Sequence, residues 1–203
     1  MARTIAKDHE EKRQAILRKA AEFFSENGFD RSSMNQLAGA CGVSKALIYH
    51  YYDSKDALLF DIVFTHLSEL LAAVREAAGQ SDDPEADLRR ILHTILLAYR
   101  DADAQHQVQN DAMSSLPEAE RAALVDIQRQ LVAIVGEALR AVAPETFDDS
   151  PEKLRPATMA LFGMVNWFYM WHRPGKGLSR EEYADLVTDL ILRGVCGLGG
   201  GRG

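Results

Sequence analysis

Between residues 33 and 55 the chain carries Ser33, Ser44, Lys45, Tyr49, His50 and Lys55, all side chains that donate hydrogen bonds of the kind phosphate oxygens and base edges accept. Ser33 and Ser44 each precede a short apolar-periodic run, the position of an N-cap. A helix opened in this way points free amides and the positive end of its dipole outward, toward an anion. The chemistry these residues suit is recognition of a polyanion. Catalysis has no comparable set: no Ser-His-Asp order, GxSxG, P-loop or GxGxxG occurs, and each of those patterns carries a specific mechanism. His66, His93 and His106 lack a His, Cys, Asp or Glu four residues away that would complete a metal pair. The sequence therefore predicts a non-enzymatic protein with no cofactor and no metal.

Recognition residues need a scaffold, and the spacing supplies one. Ser33 opens a short helix to about Ala40, Gly42 sits in a turn, and Ser44 opens a second helix over Lys45–Tyr51. Leu37, Ala38, Cys41, Val43 and Ile48 form the inward apolar set, which leaves Lys45, Tyr49 and His50 outward. Two short helices joined by a glycine-containing turn and packed on a longer one make a helix-turn-helix. The longer one is expected over Asp8–Asn27, where Ile16, Leu17, Ala20, Phe23 and Phe24 recur at helical spacing.

Composition extends the helical reading to the whole chain. Ala and Leu supply 51 of 203 residues and Val, Ile and Thr only 26, a balance that favours helix over strand. Further helices are expected over 55–78, 85–101, 105–113, 117–142, 150–172 and 179–195, with 143–149 as a loop, giving nine helices and an all-α fold. Three regions follow: a helix-turn-helix domain over 1–55, a larger helical domain over 56–197, and a frayed glycine-rich tail over 198–203. The apolar run Ala157–Trp171 spans 15 residues, short of the roughly 20 that cross a bilayer, and residues 1–14 lack a signal-peptide core. Cys41 and Cys196 form no disulfide or CxxC pattern, so a reducing cytoplasm is expected and no membrane partner. The net charge of −7 counts against nucleic-acid binding only as an average. Residues 1–60 carry +1 and the remainder −8.

The run Ser33–Leu58, SMNQLAGACGVSKALIYHYYDSKDAL, resembles the DNA-binding signature of the tetracycline-repressor (TetR) family. It departs from that pattern at Cys41 for Ala, Ala46 for Gly and Tyr52 for Phe. The resemblance implies phosphate contacts at Ser33, Tyr49, His50 and Lys55, and base-facing positions at Lys45, Ala46 and Leu47. Arg3 and Lys7 are candidates for a minor-groove arm.

It also implies a C-terminal domain that dimerises through its last two helices and holds an effector. The segment FGMVNWFYMWHRP, residues 162–174, is similar to a run in the branch of the family whose effectors are CoA thioesters. Its aromatics suit an acyl group or an adenine ring, and Arg173 suits a phosphate. Trp167 and Trp171 lie four apart on one face, which fits a ligand's ring or packing between subunits equally. Effector-lining candidates are Phe64, Leu67, Leu96, Tyr99, Met113, Leu131, Phe162, Trp167, Trp171 and Arg173. The implied protein is a homodimeric repressor of a palindromic operator, released by a small molecule. A different hydrophobic effector, or none, fits the same residues.

Overall fold

The structure, a computed structural model, describes the backbone of residues 2–173 and 175–198 and the side chains of residues 9–173 and 175–195. Among the described residues the regular elements are helical. They are α1 (Ala2–Asn27), α2 (Met34–Cys41), α3 (Lys45–Tyr51), α4 (Lys55–Ala77), α5 (Pro84–Ala98), α6 (Asp103–Ala112), α7 (Glu118–Val142), α8 (Pro144–Asp149), α9 (Leu154–Asn166), α10 (Phe168–Trp171) and α11 (Arg180–Leu198). Single 3-10 turns occupy Met113–Ser115 and Pro151–Lys153. The one β-type contact among the described residues is an isolated bridge between Arg173 and Lys176.

Two compact units result. The first comprises residues up to Ser68 together with Asp101–Asp126, and the second Glu69–Arg100 together with the chain from Ile127 onward. In the first, α1 buries Ile16, Leu17, Ala20, Ala21 and Phe24 on a stripe of helical spacing and packs against α2 and α6. Gly28 ends α1 in the left-handed region at φ 78°, with its amide donating to the Phe24 carbonyl at 2.9 Å. Phe29 then turns back, its ring edge-on to Phe24 at 5.3 Å. A capping box at Ser33 and Gln36 opens α2, satisfying two otherwise orphaned amides at once. Gly42 closes it at φ 68°, its amide directed at the Ala38 and Gly39 carbonyls.

The second unit is built on α5, whose Leu88, Ile91, Leu92, Ile95 and Leu96 are fully buried, packed against α9 and α11. Charge flanks that seam. Arg89 on α5 reaches Asp185 at 2.8 Å and Asp189 at 2.7 Å on α11, and His93, one turn on, reaches Asp185 at 2.9 Å. Arg100, just past the end of α5, pairs with Glu181 in the first turn of α11.

Several expectations need correction. Residues 143–149 are not a loop: Pro144 takes the first turn of α8, and Phe147, 1% exposed, anchors it. Burial of one large ring outweighs the poor intrinsic helicity of a six-residue acidic stretch. The helix expected over 150–172 is interrupted. Ser150 makes no side-chain cap, the first turn is 3-10, and Trp167 separates α9 from α10. The interruption shifts the register so that Phe168 is fully buried while Trp167 and Trp171 face solvent. Hence the described residues hold eleven α-helical segments where nine were expected. Helix α4 is long and apolar enough to cross a membrane by length and composition, but half of that apolar window is buried inside the protein, as in a core helix. The expected tail, 198–203, lies outside the described residues apart from Leu198.

Two predictions follow from these local features. A side chain at Gly42 meets no neighbour within 4 Å, so Gly42→Ala carries only the left-handed backbone penalty, about 1 kcal/mol. Thermal unfolding followed by circular dichroism should show a midpoint lower by roughly 2–4 °C. In the first unit His66 and His106 are both buried, with ring centroids 6.1 Å apart. Burial, and secondarily His106, lowers the His66 pKa to about 4. Below pH 6.5 the unfolded chain takes up a proton that the folded chain resists, so stability falls as pH falls from about 6.5 to 4, by an amount on the order of 3 kcal/mol. Urea midpoints measured between pH 7 and 5 should decline less steeply in His66→Gln than in the parent.

Candidate nucleic-acid interface

Helix α3 presents two different faces. Ile48 is fully buried, whereas Lys45, Ala46 and His50 are exposed, Tyr49 is 43% exposed and Leu47 is half-buried. The Lys45 ammonium lies 5.5 Å from the Tyr49 ring centroid, close enough for a cation–π attraction. His50 stands edge-on to Tyr51 at 5.4 Å and near His9 at 6.4 Å. The outward face thus groups a cation, a phenol and an imidazole on two turns of helix, with Ala46 leaving the N-terminal turn clear of bulk.

The two serines serve as caps. Ser44 Oγ accepts the Leu47 amide at 3.1 Å. Ser33 Oγ accepts the Gln36 amide at 3.3 Å and donates to Gln36 Oε1 at 2.8 Å. Both residues are exposed and sit at the outward ends of α2 and α3. Lys55 is placed differently from its neighbours. Its ammonium donates to the Phe29 carbonyl at 2.8 Å and the Ser32 carbonyl at 3.1 Å, 4.2 Å above the Phe29 ring. It ties the loop after α1 to the start of α4. The side chains of Arg3 and Lys7 lie outside the described residues.

Some anchoring residues had no signal in the sequence. Lys19 on α1 donates to the Cys41 carbonyl at 3.0 Å, closing the carbonyl end of α2. Beside it the Cys41 thiol is buried, and burial pushes its pKa up, which leaves it a small apolar core group. The pairing of positions 19 and 41 depends on how two helices cross and has no sequence period. Tyr52, Asp61 and Arg13 form a second such set.

The effector candidates are distributed over both units. In the first, Leu67 is buried, Met113 is half-buried, and Phe64 is 40% exposed, stacked on Phe60 at 5.4 Å. In the second, Leu96, Leu131 and Phe162 are core residues. Tyr99 is buried and its hydroxyl donates to Asn166 Oδ1 at 2.9 Å, joining the end of α5 to the end of α9. Trp167 and Trp171 are 58% and 50% exposed, and Arg173 is exposed with a guanidinium contact to the His172 carbonyl at 3.3 Å. The residue on which this aromatic segment turns is Phe168. It is buried between His172 at 4.4 Å and Tyr183 at 4.6 Å, with the Arg180 guanidinium 5.1 Å from its ring. A surface groove of about 530 Å³ in the second unit is lined by Asp83, Glu85, Ala86, Arg89, Arg90, His93 and Asp185, and none of the candidates lines it.

Comparison with known proteins settles the family. The profile of bacterial regulatory proteins of the tetR family matches residues 16–62, and that of the tetracyclin repressor-like C-terminal domain matches residues 81–195. The chain belongs to the TetR family. This TetR-family protein is 33% identical to a TetR-family transcriptional regulator from Bordetella parapertussis 12822, over 90% of this chain and 95% of the other, with a TM-score of 0.85. It is 24% identical to the HTH-type transcriptional repressor KstR2 of Rhodococcus jostii (strain RHA1) over 188 residues, 91% of each chain. Its fold resembles that of AibR, solved in complex with isovaleryl coenzyme A and operator DNA, with a TM-score of 0.77, 24% identity, and coverage of 89% and 97%. It is a DNA-binding transcriptional regulator, in a family of regulators and not of enzymes.

The two lysines separate scaffold from surface in a measurable way. Lys55→Met removes the donor to two backbone carbonyls and should lower stability by about 1–3 kcal/mol. Lys45→Ala removes an exposed cation and should leave the unfolding free energy within about 0.5 kcal/mol of the parent. Chemical denaturation of both variants checks the contrast.

Proposed function

We propose that the chain is a homodimeric, ligand-responsive repressor that reads a palindromic operator by inserting α3 of each subunit into successive major grooves. The observation that carries this reading is the two-sidedness of α3: Ile48 wholly buried, with Lys45, Tyr49 and His50 displayed together on the outside. Ser33, Ser44 and the outward amides of α2 and α3 then meet phosphates, Ala46 and Leu47 approach base edges, and Lys55 meets a phosphate while holding the loop before α2. Residues 1–55 act as the reading head and 56–197 as the sensing and dimerising part. The protein works in the cytoplasm, where its operator is.

A second copy of the chain is the partner that best explains the second unit's surface. Met159, Met170, Trp171, Leu186 and Leu190, on α9, α10 and α11, and Trp167 between α9 and α10, are between 42% and 58% exposed. Apolar surface gathered in this way marks an association face. A CoA thioester is the effector class that the 162–174 run and the likeness to AibR, solved with isovaleryl coenzyme A, jointly support. Its binding lowers operator affinity.

A duplex selected by the protein from a random-sequence pool supplies the operator for the test. In a gel-shift titration, Lys45→Ala combined with Tyr49→Ala should abolish specific binding, and acyl-CoAs should release the parent protein while raising its thermal midpoint. Unchanged binding by the double variant would overturn the assignment of α3. Silence toward every CoA ester, with a response to a free acid or drug-like compound, would replace the effector class and leave the regulator intact.

A further inference from the structure

Tyr52 stands where the family signature has phenylalanine, and its extra oxygen has a definite destination. The ring is buried at the C-cap of α3, 7% exposed, so a phenylalanine would fill the same space. The hydroxyl donates to Asp61 Oδ2 on α4 at 2.6 Å. The other carboxylate oxygen, Oδ1, accepts from Arg13 Nη2 on α1 at 3.1 Å and from Thr65 Oγ1 at 3.3 Å. Arg13 is steadied in turn by Glu10, 3.4 Å from its second amino group. Burial and the adjoining carboxylate raise the Tyr52 pKa well above the ordinary phenol value, so the hydroxyl stays a donor throughout the working range of pH.

We propose that Asp61 is a positioning residue for the reading helix, its carboxylate joining the end of α3 to both α1 and α4 and thereby fixing the angle at which α3 meets DNA. The proposal rests on α3 being the DNA-reading element. A seven-residue helix buried at one residue, Ile48, can rock about that point, because apolar contact is non-directional. A hydrogen bond to a carboxylate is directional and stronger than a neutral one. Placed four residues beyond Ile48, at the far end from the Ser44 cap, the Tyr52–Asp61 bond removes the rocking motion. Base readout depends on that angle, while non-specific attraction to phosphates does not. The bond therefore governs specificity more than it governs folding.

The test uses the full-length protein with two fluorescent duplexes, the pool-selected operator and a scrambled version, read by anisotropy alongside thermal unfolding. Tyr52→Phe should weaken operator binding about three- to tenfold, leave the scrambled duplex within twofold of the parent, and barely move the unfolding midpoint. Asp61→Ala should do the same or more, and Tyr52→Phe added to Asp61→Ala should change little further, since the acceptor is already gone. Tyr52→Phe alone decides the matter should Asp61→Ala fail to fold. Unchanged operator affinity in Tyr52→Phe, or equal loss on both duplexes together with a lower midpoint, would overturn the inference. Full operator binding by Lys45→Ala combined with Tyr49→Ala would overturn it differently, by removing α3 as the reading element.

Discussion

A helix of seven residues does not hold its shape in water, because fixing the first turn costs more than two turns of hydrogen bonds return. Helix α3 is that short, and what holds it is the complete burial of Ile48. That burial requires a core beneath it; α2 packs against α3 and buries Leu37 and Ala38, and Leu58, Leu59 and Ile62 of α4 are buried as well, all at 4% exposure or less. The core in turn requires α2 and α4 to begin and end in fixed places. The Ser33 and Ser44 caps, the left-handed Gly42, the Lys19 contact to the carbonyl end of α2 and the Lys55 contact to the loop before α2 all fix those places. Each of them meets a backbone group that would otherwise be unsatisfied at a helix end or turn.

Electrostatics sets a second condition. A net charge of only +1 over residues 1–60 generates a weak long-range field, so in the proposed reading DNA affinity rests on placed contacts and on the doubling that a dimer would supply. That makes angular precision at α3 matter more than it would in a strongly basic domain. In the second unit, charge works at short range. The Arg89 guanidinium on Asp185 and Asp189, with His93 on Asp185, holds α5 and α11 in register, and the side-chain bonds from His93 and Arg89 pull the Asp185 pKa down. These side chains are largely solvated, so their contribution is alignment more than stability.

The helix-turn-helix was the most legible part of the sequence, because its information is local: a cap, a glycine and a helical period lie within a few residues of one another. The bounds of α3, Lys45–Tyr51, coincide with those read from Ser44 and the spacing of Ile48. Contacts between distant residues were not legible. The sequence reads Lys55 as a phosphate contact, and only the path of the chain through Phe29 and Ser32 brings carbonyls to it. Tyr52 differed from the family pattern by one oxygen, and Asp61 is nine residues away on another helix. The 150–172 stretch differs for a related reason. Its largely apolar run reads as one helix, whereas Phe168 is buried between His172 and Tyr183 and the helix breaks at Trp167, which no local residue announces.

Hydrogen exchange of the full-length protein, with and without a duplex it has itself selected, tests most directly whether α3 is the reading element. Amides of residues 45–51 depend on the Ile48 core for protection and lie at the proposed DNA face, so bound DNA should slow their exchange, together with those at the start of α2. Exchange over 45–51 that is unchanged by DNA, with new protection appearing elsewhere in the chain, would contradict it.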